Sequence, residues 1–325
     1  TDLSDPNIAD PFASPSTTTM YYVTGTDGNG CVNIDSMTVN VNGLPTITVS
    51  NDTTICLGDT AQLVATGGTT YNWTPTTSLS DPNIDNPLAD PAGTTTYTVH
   101  VIDAAGCEDS ATVTVTVNPL PTVSAGADID LCLGDTTTLG ASGAVTYVWT
   151  PSDSLSDPNI DNPMAWPIDT TQYIVTGTDA NGCSNTDTMM VNILPLPTVD
   201  AGEDLWVCPG DSVQLQGSGA GTPSWSPATG LSATTILTPM ASPADTTEYI
   251  LSITDGAGCI NTDSMFVFVN ATVPSEAGND TTICEGDTIQ IGGNPSSVPG
   301  SIYVWSPAAG LDDPNVANPF AFPTV

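Results

Sequence analysis

Between Leu44 and Pro119, apolar residues fall mainly at every second position, and Gly, Pro, Asn and Asp interrupt the alternation at short intervals. Period two marks strands with one buried face, and the interruptions mark turns. The run TITVSNDTTI (46–55) predicts a first strand, followed by a turn at Leu57-Gly58-Asp59. AQLVA (61–65) predicts a second, with Ala61, Leu63 and Ala65 on one face, and Gly67-Gly68 turns the chain again. TYNW (70–73) is a third and supplies Trp73. A Pro- and Asp-rich loop, TPTTSLSDPNIDNPLADPAG, holds a short extended piece around 86–89. TTTYTVHVID (94–103) then turns Tyr97, Val99 and Val101 inward, Ala104-Ala105-Gly106 makes a tight hairpin, and CEDSATVTVTV (107–117) returns with Ala111, Val113, Val115 and Val117 inward. No segment carries the 3.6-residue period of a helix.

The pattern recurs. One cysteine falls at Cys56, Cys132, Cys208 and Cys284, and a second at Cys31, Cys107, Cys183 and Cys259, each 76 residues after the last. Tyr21, Tyr97, Tyr173 and Tyr249 keep that spacing, as do Trp73, Trp149 and Trp225; Trp305 comes four residues late, after an insertion in GGNPSSVPGS. A period of this length suits a small domain with its own core rather than a solenoid turn. The expected division is part of a repeat at 1–43, whole repeats at 44–119, 120–195 and 196–271, and part of another at 272–325. The chain opens and closes in the middle of a unit, so it reads as a fragment of a longer array. Six or seven short strands around a Trp, with a Tyr early in the penultimate strand, predict an all-β chain of tandem immunoglobulin-like sandwiches set head to tail as a rod. Trp73, Trp149, Trp225 and Trp305, with Tyr97, Tyr173 and Tyr249, are the expected large core residues. Trp166 and Trp206 do not recur.

Charge narrows the function. The chain has no Lys or Arg, 36 Asp and Glu, one histidine and a formal charge of −36. Phosphate backbones are bound through Lys and Arg, so nucleic acid is excluded as a partner, and anionic lipid surfaces with it. No apolar run is long enough to span a membrane as a helix. Salt bridges are nearly absent by composition, so stability must come from apolar burial, sheet hydrogen bonds and cross-links. Eight cysteines at two fixed places per repeat point to disulfides in an oxidising compartment. Zinc does not fit: there is no CxxC and only His100.

The pairing has two solutions. Joining the cysteines of one repeat gives Cys56–Cys107, Cys132–Cys183 and Cys208–Cys259. However, Cys56 sits at the first turn and Cys107 just after the last hairpin. In a sandwich these lie at opposite ends, separated by roughly 25 Å of strand, whereas bridged Cα atoms lie within about 7 Å. Joining one repeat to the next gives Cys56–Cys183 and Cys132–Cys259, with the other four cysteines pairing beyond the fragment. This inter-domain solution is favoured, but one strand fewer in the Pro-rich loop would restore the in-domain one.

These residues resemble a known family. ICLGD, YNWTP, LSDPNIDNP and TTYTVHVIDAAGC in one unit, and LCLGD, YVWTP, LSDPNIDNP and TQYIVTGTDANGC in the next, look like the PKD-like and Ig-like repeats of Bacteroidota surface proteins. The resemblance covers nearly the whole chain and implies a place in a giant adhesin, exported by the type IX route. The unit at 196–271 departs from it, with LSATTILTP in place of LSDPNIDNP. A recurring Asp-Ser/Thr pattern resembles the O-glycosylation motif of that group. It nominates Thr60, Thr136, Ser212 and Thr288, and a second set at Ser36, Ser110, Thr188 and Ser264.

Candidate chemistry is sparse. Nucleophilic and acid–base catalysis need a base with an orienting partner in a cleft. His100 has outward parity on its strand, and its counterparts are Thr24, Thr176 and Ser252. No catalytic residue is nominated, and no cofactor other than calcium. Calcium wants six to eight oxygens. The Asp-Pro-Asn turns offer Asp81, Asp157 and Asp313, and the Gly-Asp turns Asp59, Asp135, Asp211 and Asp287, though both are also ordinary turn formers. The sequence therefore predicts a stalk or filament segment of an extracellular surface fibre, whose partners are neighbouring copies of its own repeat, end to end or side by side. The alternatives are a glycan- or protein-binding array, and spacer domains of a secreted polysaccharide-degrading enzyme.

Overall fold

A computed structural model describes residues 2–273, 275–293 and 300–322, and every regular element among them is a β-strand. The chain divides into two compact units, 1–192 and 193–325. The first opens with a hairpin of β1 (Thr19–Thr26) and β2 (Val32–Val39). The next repeat contains β3 (Thr48–Val49), β4 (Thr53–Cys56), β5 (Ala61–Gln62), β6 (Ala65–Thr66), β7 (Thr70–Thr74), β8 (Leu88–Ala89), β9 (Thr95–Ile102) and β10 (Glu108–Asn118). Four of these form a sheet in the order β4-β10-β9-β7, with β4 parallel to β10 and the other pairs antiparallel. The short pairs β3–β6 and β5–β8 complete the repeat. Ala61, Leu63, Ala65 and Ala89 from the short pairs pack in one cluster with Trp73, Tyr97, Val99, Val101, Val113 and Val115 from the four-stranded sheet. Two sheets closing on one apolar core, with the last strand between the first and the penultimate, make an immunoglobulin-like sandwich.

Two segments read as single strands are each divided. TITVSNDTTI splits because its halves serve different sheets: β3 pairs with β6, while β4 runs beside β10. Asp52 sits at the break, and its carboxylate accepts the Thr114 amide on β10 at 2.8 Å. AQLVA splits into β5 and β6 for the same reason, pairing with β8 and β3. Alternation cannot reveal such a change of partner, because the inward parity continues through it.

The second repeat follows the same plan, with β11 (Ile129–Cys132), β12 (Thr137–Thr138), β13 (Thr146–Thr150), β14 (Met164–Ala165), β15 (Thr171–Thr178) and β16 (Ser184–Leu194). The second unit contains β17 (Val199–Asp200), β18 (Leu205–Val207), β19 (Val213–Gln214), β20 (Ser218–Gly219), β21 (Thr222–Ser226), β22 (Met240–Ala241), β23 (Thr247–Thr254) and β24 (Ile260–Val269). Its main sheet runs β18-β24-β23-β21. The pair β25 (Ile289–Gln290) and β26 (Phe320–Ala321) lies further on.

Trp73, Trp149 and Trp225 and the tyrosines Tyr97, Tyr173 and Tyr249 are buried. Trp305 is only half-buried, a correction to its reading as core: among the described residues nothing after Trp305 corresponds to the long hairpin that covers the other three. Each Trp holds the Pro-rich loop beneath it by two bonds. For Trp73 the backbone amide donates to the Pro82 carbonyl and the indole N–H to the Ile84 carbonyl, at 2.8 and 2.9 Å. Trp149, Trp225 and Trp305 repeat the pair with Pro158 and Ile160, Thr234 and Ile236, and Pro314 and Val316. The acceptors are main-chain carbonyls, so the unit that lacks the Asp-Pro-Asn motif builds the same loop.

Candidate functional site at the joint between two repeats

Within the first unit, Cys56 and Cys183 are joined by a disulfide with Cα atoms 5.5 Å apart, closing 127 residues of chain. Cys56 ends β4. The parallel register places it beside Asn118, the last residue of β10, and the Leu57 amide donates to the Asn118 carbonyl at 2.9 Å. It therefore lies at the end where the chain leaves one repeat for the next. Cys107 precedes β10. Eleven residues of strand separate it from Asn118, roughly 35 Å, so Cys56–Cys107 is sterically excluded. Cys132–Cys183 is not formed because Cys183 is already bonded, and Cys208–Cys259 is not formed because Cys208 is a free thiol. The in-domain alternative is thereby corrected. Cys31, Cys107 and Cys284 are also free thiols.

The partner cysteine is held by a carboxylate that the sequence reading overlooked. Asp179 opens the β15–β16 turn, and its Oδ1 accepts the amides of Asn181 and Cys183 at 2.8 and 2.9 Å. Gly182 takes φ +85° to close the turn, a conformation that glycine adopts without a Cβ penalty. Asp27, Asp103 and Asp255 make the same two bonds before Cys31, Cys107 and Cys259. The signal was present as Asp four residues before each of these cysteines. The β15–β16 hairpin also grips its own linker: the Asn185 amide donates to the Pro121 carbonyl at 3.1 Å, and Asp187 accepts the Ala125 amide at 2.8 Å. That Ala125 bond, followed by the Thr188 amide, holds the Asp187 carboxyl below its ordinary value. A depressed carboxylate contributes stability above the ordinary aspartate range and loses it as pH falls through the lowered value.

Thr54, Ile55, Cys56, Asp59, Thr60, Asn118 and Asn181 line a cleft of about 350 Å³ at this joint. Of the nominated hydroxyl residues, Thr60 faces this cleft. All eight, Thr60, Thr136, Ser212, Thr288, Ser36, Ser110, Thr188 and Ser264, are exposed. His100 is exposed on β9, flanked across the sheet by Ser110 and Asn72.

The nominated calcium ligands are occupied locally. Asp81, Asp157 and Asp313 each accept the backbone amide of the Asn two residues on, at 2.8–2.9 Å. No group of three or more His, Cys, Asp or Glu side chains that could hold a metal ion occurs among the described residues. Diffuse screening of the −36 charge would not distinguish one divalent cation from another. Calcium is expected to raise the melting temperature no more than magnesium at equal concentration. A calcium-specific rise of several degrees, reversed by chelation, would overturn this.

No family model matches the chain, and no curated protein matches it. Among solved structures, three tandem immunoglobulin domains of titin align over 70% of this chain and all of theirs, at 12% identity and TM-score 0.35. The N-terminal eight immunoglobulin domains of Down Syndrome Cell Adhesion Molecule align over 80% of this chain, at 16% identity and TM-score 0.37; the chain spans 40% of theirs. A Ca2+-stabilized adhesin that helps an Antarctic bacterium reach out and bind ice aligns over 77% of this chain and 80% of its own, at 14% identity and TM-score 0.32.

Proposed function

We propose that this chain is a load-bearing segment of an extracellular fibre or stalk, in which successive sandwich domains are spliced covalently. The Cys56–Cys183 bond carries the reading. A disulfide inside a domain secures that domain's fold, whereas one between domains restricts how the joint bends and stretches. Here the joint is also stiffened by Pro119 and Pro121 and by the Asn185 grip on the linker. The period of 76 residues supports assigning Cys132 and Cys259 the same bond. A disulfide fits an oxidising, extracytoplasmic location. With no Lys or Arg, the segment also offers no trypsin-type cleavage site.

The test is mechanical. Pulled from its two ends under oxidising conditions, the chain should not release the residues between Cys56 and Cys183. Reductant should add no less than roughly 430 Å of extension, from the 127 residues of the Cys56–Cys183 loop at about 3.4 Å each. Identical extension with and without reductant would sink the load-bearing reading.

A further inference from the structure

The third whole repeat carries a surface feature that its siblings lack. Trp206 on β18 lies beside Phe268 on β24, with ring centroids 5.2 Å apart and planes 21° from parallel. Phe266, two residues back on β24, stacks on Phe268 at 5.6 Å and 17°. The three rings stand on the outer face of the sheet: Trp206 is 61% and Phe266 38% exposed. The equivalent cross-strand pair in the second repeat is polar, with the Asn192 amide donating to the Asp130 carboxylate at 2.9 Å. In the first repeat it is Thr54 and Thr116. The frame is the same in all three, because Asp52, Asp128 and Asp204 accept the amides of Thr114, Met190 and Phe266. The fold is therefore built with polar residues at the positions of Trp206 and Phe268, and those two rings are not needed to complete it.

Exposed stacked rings on a soluble sheet mark an interaction surface, and charge identifies the occupant. Trp206 lies on the sheet-edge strand, and the face of an indole ring is electron-rich. Glu248 stands opposite Phe266 across the sheet, and Glu203 and Asp204 are exposed just before β18. A guanidinium or ammonium group over the ring gains both the cation–π attraction and the carboxylates. These 325 residues have no Lys or Arg, so a second copy of them cannot supply the cation and would bring a further −36 charges against these acids. We propose that the Trp206–Phe268–Phe266 row is a docking site for an Arg- or Lys-bearing polypeptide segment, which must come from outside these 325 residues. This goes beyond the stalk reading: it assigns one repeat a partner.

The experiment must separate ring contacts from general attraction to an acidic chain. The double variant Trp206→Asp with Phe268→Asn installs the pair found in the second repeat and adds one negative charge. An arginine-rich peptide at physiological salt is expected to bind it about tenfold more weakly than the parent, while Trp206→Phe retains binding within about threefold. Unchanged melting temperatures would show that all variants are folded. Equal or tighter peptide binding by the double variant would overturn the proposal, leaving surface charge alone as the cause. Ring-dependent binding of a neutral polysaccharide in place of the peptide would overturn it too, in favour of sugar stacking.

Discussion

Breaking the Cys56–Cys183 bond, by reductant or as Cys56→Ser with Cys183→Ser, is expected to lower the melting temperature of the two repeats it joins by more than about 10 °C. The bond closes 127 residues, and the chain-entropy treatment of a loop that long assigns it about 5 kcal/mol, with measured bridges more often at 2–4. For domains of this size each kcal/mol moves the midpoint by roughly 4–8 °C. The loop contains most of both repeats, so cutting it should also uncouple their transitions. The Asp179 turn and the Asn185–Pro121 bond survive reduction, and the hairpin should stay formed in the reduced native state. Calorimetry with and without reductant decides the matter. A midpoint that moves by less than about 3 °C, under half of what a bridge at the low end of the typical 2–4 kcal/mol implies, would show that the joint gains little from its staple.

Replacing Trp73 by alanine is expected to cost at least about 3–5 kcal/mol, the range for deleting a large buried aromatic. Trp73 has no exposed surface and sits among Leu63, Tyr97, Val99 and Val113. Its indole N–H is also the donor to the Ile84 carbonyl, and loss of that part-buried bond adds a further penalty of order 1 kcal/mol. Domains are stable by only about 5–15 kcal/mol, and small ones lie at the low end, so this repeat should be largely unfolded at 37 °C while its neighbour retains its structure. Phenylalanine at 73 would refill part of the volume without restoring the bond, and should recover roughly half of the loss. Trp206→Ala serves as the control, since an exposed ring should cost less than about 1 kcal/mol. Urea unfolding of the three variants gives the ranking. Equal losses at Trp73 and Trp206 would contradict the assignment of one to the core and the other to the surface.

Much of the fold was legible because alternation and turn chemistry are local. The inward parity of Tyr97, Val99 and Val101, the hairpin before Cys107 and the 76-residue period can all be read without tertiary knowledge. The composition likewise settled that the chain cannot rely on salt bridges or bind phosphate backbones through Lys or Arg. What local pattern could not decide was which strand lies beside which. The break at Asp52, the division of AQLVA and the parallel pairing of β4 with β10 all depend on partners distant in sequence. That pairing determines where Cys56 lies. Cysteine spacing left Cys107 and Cys183 as competing partners, and only the length of β10 excluded the first. Trp206, Phe266 and Phe268 are separated by 60 residues of chain in the sequence and meet only through the β18–β24 register. A non-recurring Trp carries no periodic signal, so tertiary pairing alone could show it to be part of a surface.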